Sequence, residues 1–381
     1  MLSDFADLAP SKIIAVARAA SARPDTEFLC FGESDRAAPE GAGAALVAAL
    51  LAGDAKYPDV RGVPALRSAL AMHLSALHAL PVDEGRVLVT ASGMAAVSVA
   101  LQSLVRAGDR VVLHVPAWPN PGNAVLLRGA VVDALPLVAL GDGRFRMDMD
   151  RLAEMLPGAR AFILNSPNNP TGWTATTKEL ATILEMCRWH GVWLISDEVY
   201  SRLVYDGREA APSLLDLAAP DDRVIVVNSF SKTWAMTGWR LGWLVLPAGM
   251  RDRVAEVVEV THSGTSPFAQ AGALAAVADE AFVAGFRAHC AEGRRLAVAA
   301  LAGLNGVRLV APEGAFYAFI GVEGLTDSLG LALRLVRDHG VAVAPGVAFG
   351  AAGEGYLRLC FAQSAPRMAR AMERLRAGLA A

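Results

Sequence analysis

The sequence predicts an α/β protein, with a mainly parallel sheet flanked by helices on both faces and a second, smaller α+β domain. Three observations support this prediction. Short apolar runs rich in β-branched residues recur from about residue 86, and helix-like segments separate several of them. After about residue 280 this alternation gives way to a long helical stretch and shorter strands. The length of 381 residues also exceeds what one hydrophobic core comfortably organises.

Six apolar runs are predicted to be buried strands. They are RVLVT (86–90), RVVLHV (110–115), RAFILN (160–165), VWLISD (192–197), RVIVVN (223–228) and LGWLVL (241–246). Runs that are apolar at nearly every position are typical of parallel strands covered on both faces. Their alternation with helical segments therefore favours a mainly parallel sheet.

Helical periodicity is clearest in four segments. One apolar face is formed by Leu180, Ile183, Leu184 and Cys187. A second helix opens with Pro64 in its first turn, a long helical stretch covers about 267–303, and an amphipathic helix closes the chain after the strand YLRLCFA (356–362). The predicted organisation is an N-terminal segment (1–44) belonging to the small domain, a large domain (45–280) and a small C-terminal domain (281–381).

Composition excludes several classes of protein. The chain is 54% hydrophobic and 19% charged, unlike disordered or fibrous proteins, and its formal net charge of −3 supplies no positive field for nucleic acid or membrane. Four scattered cysteines and seven histidines without an HExxH pair indicate no disulfide framework and no metal site. Acidic residues near the N-terminus and polar interruptions of the stretch 87–105 argue against a secretion signal and a membrane span. A cytoplasmic protein is therefore expected.

Lysine is rare in this chain, which has four lysines against 31 arginines. Lys232, in SFSKT, follows a predicted strand, and in open α/β sheets ligands bind at the carboxyl ends of the strands. Ser229, Ser231 and Arg240 are close to it in sequence. An amine among hydroxyls and a guanidinium suits a phosphate-bearing carbonyl compound, because the amine forms an imine while the other groups hold the phosphate. The alternative is an ordinary surface lysine.

A carboxylate and a phenol follow another predicted strand. Asp197 ends VWLISD, and Tyr200 comes three residues later. A buried carboxylate is costly unless it meets a cation. A protonated pyridine nitrogen would be such a cation, and Tyr200 could hydrogen-bond a phenolic oxygen on the same ring. The alternative for Asp197 is a helix N-cap.

Four further features complete the set. The stiff turn 165–172 presents asparagine side chains, and Ser92 begins a helix whose free N–H groups could bind an anion. Trp118 could stack on a flat ring, and Arg358, in a strand, could clamp a carboxylate. Each has a structural alternative: a rigid turn, an ordinary strand–helix junction, core packing or an ion pair. Together they describe pyridoxal 5′-phosphate (PLP) bound with an amino acid.

The motifs resemble those of the class I/II aminotransferases, which are fold-type I PLP enzymes. The matching segments, in the family's order, are KYPDVRGVPALRSAL, SPNNPTG, SDEVY, SFSKTWAMTGWRLG, PEGAFYAF and YLRLCFA. The resemblance runs from about residue 10 to the end. It implies a seven-stranded-type sheet in the large, PLP-binding domain, a smaller domain, and a homodimer with active sites at the subunit interface.

The resemblance also implies a role for each site residue. Lys232 would be the Schiff-base lysine and proton shuttle, and Asp197 would pair with the pyridine nitrogen. Tyr200 and Asn169 would bind the ring's phenolic oxygen, and Trp118 would stack on the ring. The phosphate would be held by Ser92, Gly93, Met94, Ser229, Ser231 and Arg240, with Tyr57 from the neighbouring subunit. The substrate carboxylate would be held by Arg358, Asn169 and the backbone of Gly32.

The expected reaction is a ping-pong transamination between an L-amino acid and a 2-oxo acid. A PLP-dependent C–S β-lyase is the alternative, because bond cleavage at Cα depends on substrate orientation rather than on these motifs. One segment departs from the family pattern: Ser34 stands in Gly32-Glu33-Ser34-Asp35 where proline is usual. This loop borders the substrate in relatives, so the departure concerns specificity. The identity of the amino donor stays open.

Overall fold

Helices and strands alternate along most of the chain. The computed structural model describes residues 8–53, 55–78 and 80–380. The helices are α1 (Lys12–Ser21), α2 (Glu40–Leu51), α3 (Pro64–Leu77), α4 (Gly93–Leu104), α5 (Pro119–Leu127), α6 (Met149–Met155), α7 (Thr177–His190), α8 (Phe230–Thr233), α9 (Arg251–His262), α10 (Pro267–Val277), α11 (Glu280–Leu301), α12 (Ser328–Arg334) and α13 (Ala365–Ala380). The strands are β1 (Glu27–Phe28), β2 (Val87–Thr90), β3 (Arg110–Val115), β4 (Val131–Pro136), β5 (Val138–Ala139), β6 (Phe145–Arg146), β7 (Ala161–Asn165), β8 (Trp193–Asp197), β9 (Val224–Ser229), β10 (Gly242–Val245), β11 (Val307–Arg308), β12 (Tyr317–Val322), β13 (Val341–Ala342), β14 (Ala344–Pro345) and β15 (Tyr356–Cys360).

The central sheet has seven strands in the order β2-β10-β9-β8-β7-β3-β4. The pairs from β9 to β4 are parallel, and β10 runs antiparallel to both of its neighbours. All six predicted strands are present, and the mainly parallel α/β fold is confirmed. The seventh strand, β4, was not predicted. It lies at the edge of the sheet and is partly exposed, so its sequence VVDALP lacks the continuous apolar character of the interior strands.

The sheet is buried on both faces, as its apolar strands require. In β7, Phe162 and Leu164 enter the core on one face, while Ala161 and Ile163 enter the core on the other. The predicted apolar face of α7 packs into the first of these cores. Because this packing holds the strands in place, the residues at their carboxyl ends project from a rigid edge.

The predicted long helix at about 267–303 is two helices. Asp279 separates α10 from α11, and its side chain accepts a hydrogen bond from the Phe282 N–H at 2.9 Å. Aspartate is a favourable N-cap residue. The helical periodicity of the residues on both sides of Asp279 gives no sign in the sequence that one helix ends and another begins there. The predicted helical stretch is therefore present as two helices.

A second, antiparallel sheet has the strand order β11-β12-β15-β14. Its core also contains residues from α1 and from the start of the chain, and β1 pairs in parallel with β13. The domain boundaries at residues 44 and 280 stay predictions. Within the described ranges, no helix has the length and apolar character needed to cross a bilayer. Residues 1–7, which bear on the expected lack of a secretion signal, lie outside those ranges.

Candidate active site

A cavity of about 490 Å³ lies at the carboxyl ends of the central strands. The pairing of neighbouring strands places these ends side by side, because Asn165 pairs with Asp197 and Gly242 pairs with both Ser229 and Thr90. All but one of the predicted site residues line it. They are Gly32, Ser92, Gly93, Met94, Trp118, Asn169, Asp197, Tyr200, Ser229, Ser231, Lys232, Arg240 and Arg358. The exception is Tyr57, which is 94% exposed and whose predicted role concerns a neighbouring subunit.

Lys232 lies on the short helix α8, directly after β9. Its Nζ donates a hydrogen bond to the Gly32 carbonyl oxygen at 2.7 Å and lies 5.8 Å and 5.5 Å from the ring centroids of Tyr200 and Phe316. Burial among these groups lowers the pKa of Lys232 to about 8. The neutral, nucleophilic amine is therefore populated near neutral pH, as it is not for an ordinary surface lysine.

Asp197 ends β8 and is 9% exposed. Burial, with a contribution from the neighbouring Glu198, raises the pKa of Asp197 to about 7. Its carboxylate accepts a hydrogen bond from the Val199 N–H at 3.3 Å, and no cationic side chain in the described ranges donates to it. The helix N-cap alternative was wrong, because a turn follows the strand. A cation in the cavity would relieve this buried carboxylate.

The asparagines in the turn after β7 have two different roles, since two of them stabilise the turn and one faces the cavity. The Asn165 side chain accepts a hydrogen bond from the Asn169 N–H at 2.9 Å, and the Asn168 side chain accepts from Thr171. These two side chains hold the turn. Asn169 is left to present its Oδ1 to Arg358 at 3.1 Å. The turn thus aims one amide into the cavity.

An anion site lies where α4 begins. Ser92 caps this helix, with its Oγ accepting a hydrogen bond from the Ala95 N–H at 2.9 Å, and Gly93 is the first helical residue. A Cβ at Gly242 would lie 2.6 Å from the Gly93 nitrogen, so the glycine lets strand and helix approach closely. Ser231 and Arg240 line the same cavity. Helix N–H groups, hydroxyls and a guanidinium are donors that bind phosphate.

Arg358, on β15, is 2% exposed. Its guanidinium donates to Asn169 Oδ1 and to the Cys30 carbonyl oxygen and lies between the rings of Tyr317 and Phe349. No carboxylate of the described residues pairs with it, so the structural ion-pair alternative was wrong. A buried guanidinium without an anionic partner is suited to bind a carboxylate that enters the cavity.

Tyr317, Asn165 and Glu33 are among the cavity residues that had no predicted role. The Tyr317 and Tyr200 hydroxyls share a hydrogen bond of 2.8 Å, in which either can be the donor. The Asn165 side chain donates to the Asp197 carbonyl oxygen, and Glu33 adds a carboxylate to the residues that line the cavity. Tyr317 lies in the motif PEGAFYAF, which indicates the family but no individual role. Glu33 lies in the loop that departs from the family pattern. Asn165 ends β7, whereas only the packing of β12 and of this loop against the sheet brings Tyr317 and Glu33 to the site.

These side chains fit PLP. The cavity combines a lysine of lowered pKa, a buried carboxylate without a cation, a phosphate-type anion site and an arginine without an anion. Each matches one part of the cofactor or of its amino-acid partner. The fold and the site therefore define a PLP-dependent enzyme acting on amino acids.

The chain belongs to the class I and II aminotransferases, whose family model matches residues 28–375. It is 35% identical to the valine–pyruvate aminotransferase of Mycobacterium tuberculosis over 92% of this chain and 90% of that protein. It is 33% identical to an arginine–pyruvate transaminase of Pseudomonas aeruginosa, over 91% and 88% of the two chains.

Solved structures agree with this assignment. An aminotransferase from Mycobacterium tuberculosis superposes with a TM-score of 0.91 at 34% identity, covering 98% of this chain and 97% of that one. An aspartate aminotransferase from Thermotoga maritima also gives 0.91, at 30% identity and 98% coverage of both chains. The protein is thus a PLP-dependent aminotransferase, which transfers an amino group between an L-amino acid and a 2-oxo acid. The names of these relatives favour transamination over the C–S β-lyase alternative.

Proposed function

We propose that the cavity residues hold PLP and the amino donor in the roles that the family resemblance implies. Lys232 binds the aldehyde carbon of PLP, and Asp197 pairs with its ring nitrogen. Tyr200 and Asn169 form hydrogen bonds with its ring hydroxyl. Trp118 covers the ring face, and Arg358 with Asn169 and the backbone of Gly32 holds the donor α-carboxylate. The phosphate ligands are Ser92, Gly93, Met94, Ser229, Ser231 and Arg240, with Tyr57 from a second copy. When bound, PLP acts as an electron sink for the electrons released at the donor Cα.

The protein's own groups then supply proton transfer and orientation. Lys232 Nζ takes the proton from the donor Cα as a general base, and its pKa of about 8 suits this role near neutral pH. Asp197 stays ionised when a cation is beside it and keeps the ring nitrogen protonated. Arg358 fixes the α-carboxylate, which orients the Cα–H bond toward Lys232.

We also propose that the amino donor has a neutral or basic side chain. The charged residues of the cavity, within the described part of the chain, are Glu33, Asp197, Lys232, Arg240 and Arg358. The proposed roles of PLP and α-carboxylate binding occupy Lys232, Arg240 and Arg358 as well as Asp197. Glu33 is therefore the charged residue of the cavity that has no proposed role. Its side chain makes no hydrogen bond to any described residue, and its charge acts on Lys232. A second carboxylate on the donor would therefore meet a negative charge and no free cation of this chain.

The names of the relatives include donors of each type. Two relatives are named for valine or arginine with pyruvate as partner, and six others are named for aspartate or for aspartate and prephenate. The negative charge of Glu33, which has no proposed partner, favours a neutral donor such as valine or a basic donor such as arginine. Pyruvate is the acceptor that we propose, since both of these relatives are named for it.

The Glu33→Gln variant tests this substrate class. Wild-type enzyme is expected to prefer valine or arginine to aspartate, measured as kcat/KM with pyruvate as acceptor. Removing the carboxylate should raise the ratio of aspartate to valine turnover about fivefold, because a repulsion of about 1 kcal/mol from an exposed carboxylate is lost.

The control is Glu209→Gln, which removes an exposed carboxylate that does not line the cavity. It should leave the aspartate-to-valine ratio unchanged. A wild-type enzyme that prefers aspartate would contradict the proposed substrate class. The ratio is informative even if the pKa of Lys232 shifts in the variant, because that shift affects both donors equally.

We propose further that the active enzyme is a homodimer. Exposed apolar side chains include Val47, Leu50 and Leu51 on α2, Val260 on α9, and Tyr57. The helix α2 packs along α10, and the turn before α10 lies against the loop that follows Tyr57. Exposed apolar groups grouped in this way are typical of protein interfaces. A second copy covering this surface would bring Tyr57 toward the other subunit's site.

A charge placed on this surface should weaken the dimer. Leu51 is 81% exposed in the single chain, so Leu51→Asp leaves the fold intact while burying a carboxylate in the proposed interface. We expect wild-type protein to sediment as a dimer and the variant to dissociate at micromolar concentration, with activity falling in parallel. The control Trp189→Asp alters an exposed apolar residue on α7 and should sediment as wild type. A monomeric wild-type enzyme would refute the proposal.

A further inference from the structure

Tyr317 links two groups with different proposed roles. It is the first residue of β12, it is 1% exposed, and it lines the cavity. One side of the residue contacts Arg358, which the proposed function assigns to the donor carboxylate. Its hydroxyl contacts Tyr200, which the proposed function assigns to the ring hydroxyl of PLP.

The ring of Tyr317 sets the plane of the Arg358 guanidinium. Arg358 Cζ lies 4.4 Å from the centroid of the Tyr317 ring and 4.9 Å from that of Phe349, so aromatic rings flank the guanidinium. Contacts between a guanidinium and an aromatic face are attractive and favour a defined orientation. Since Arg358 Nε has no hydrogen-bond partner among the described residues, these rings and two acceptors position the group.

The hydroxyl of Tyr317 forms a hydrogen bond with the hydroxyl of Tyr200, in which either oxygen can donate. The two hydroxyl oxygens are 2.8 Å apart, and the rings meet edge to face at 5.6 Å. Burial raises the pKa of both phenols, so both keep their protons. When Tyr317 donates to Tyr200, the Tyr200 proton is free to donate to a group in the cavity.

The same hydroxyl also lies against the backbone that accepts from Lys232. A Cβ at Gly32 would collide with Tyr317 Oη, and the Gly32 carbonyl is the acceptor of Lys232 Nζ. We infer that Tyr317 is a positioning residue that acts through Arg358 and Tyr200, holding the carboxylate clamp in register with the donor to the ring hydroxyl. This inference rests on the proposed roles of those two residues.

Two substitutions separate the contributions of the hydroxyl and the ring. Tyr317→Phe keeps the ring beside Arg358 and removes the hydrogen bond to Tyr200. The visible absorption of bound PLP should then change with pH at a midpoint at least half a unit higher, because Tyr200 donates less well to the ring oxygen. The affinity for the amino donor should stay within about twofold. Tyr317→Leu also removes the ring, and the donor KM should rise about tenfold.

The control is Tyr205→Phe. The Tyr205 hydroxyl donates to the Ala315 carbonyl oxygen at 2.5 Å, and the residue does not line the cavity. This variant should lose a comparable amount of thermal stability without moving the absorption midpoint or the donor KM. An unchanged midpoint in Tyr317→Phe together with an unchanged donor KM in Tyr317→Leu would overturn the inference. A wild-type enzyme with no PLP absorption band would refute the proposed roles themselves, and the inference with them.

Discussion

Lys232→Ala is expected to lower the transamination rate by at least about 10³-fold, the largest effect of any single substitution in this chain. The variant loses both the amine that holds the cofactor and the base that moves the Cα proton. No other lysine lines the cavity within the described ranges, so no neighbouring amine can replace it. The phosphate ligands are unchanged, so PLP should still bind without covalent attachment.

Two measurements check this prediction. Stopped-flow absorbance should show no conversion of bound PLP by valine, and borohydride followed by mass spectrometry should find the cofactor on the peptide containing residue 232 in wild-type protein only. Because the chain has only four lysines, the modified peptide is easily identified. Lys178→Ala, which removes an exposed lysine at the start of α7, should behave as wild type in both assays. Wild-type turnover in Lys232→Ala would remove the basis of the proposed roles.

Arg358→Leu is expected to lower kcat/KM for valine by about 10²–10³-fold. The substitution deletes a buried partner of the donor carboxylate, and such losses cost about 2–5 kcal/mol. The fold should survive, because leucine can pack between the rings of Tyr317 and Phe349 and the variant no longer buries an unpaired charge. Thermal unfolding should therefore show a midpoint equal to or above that of wild type.

A donor without a carboxylate shows whether the loss comes from this contact. Isobutylamine is valine without its carboxylate, so it should react at similar low rates with wild type and with Arg358→Leu. Arg294→Leu provides the control, since Arg294 also lies over a tyrosine ring, 5.1 Å from the centroid of Tyr205, but does not line the cavity. If Arg358→Leu slowed isobutylamine as strongly as valine, the arginine would act on the cofactor site rather than on the donor carboxylate.

The main elements of the fold were predictable because their signals are local. The six predicted strands are continuous apolar runs, and the apolar face of α7 repeats with the helical period. Two features of the fold were not predicted, namely the edge strand β4 and the break in the helical stretch at Asp279. Edge strand β4 carries the mixed pattern of a partly exposed strand, and Asp279 ends a run of helical periodicity that otherwise continues into α11. For β4 the position at the sheet edge decides the pattern, whereas at Asp279 the capping side chain interrupts the helix.

The candidate site was predictable to the extent that its residues follow strands. Parallel strands end at a common edge, so Asp197, Asn169 and Lys232 could be expected together from their order in the chain. Gly32 was placed by family resemblance alone, and the contacts of Arg358 with Asn169 and of Lys232 with Gly32 join residues 189 and 200 positions apart. Contacts over such separations leave no periodic signal in a single sequence.

The sequence by itself determined which reactive groups this protein has: one lysine after a buried strand, a carboxylate at the end of another strand, and the motifs of an aminotransferase. Tertiary structure alone decided how these groups behave. Burial gives Lys232 and Asp197 their shifted pKa values, Tyr317 comes between Arg358 and Tyr200, and Glu33 remains as the unassigned charge of the cavity. The physical reason is that desolvation and long-range contact depend on which segments pack together, and residue type does not encode them.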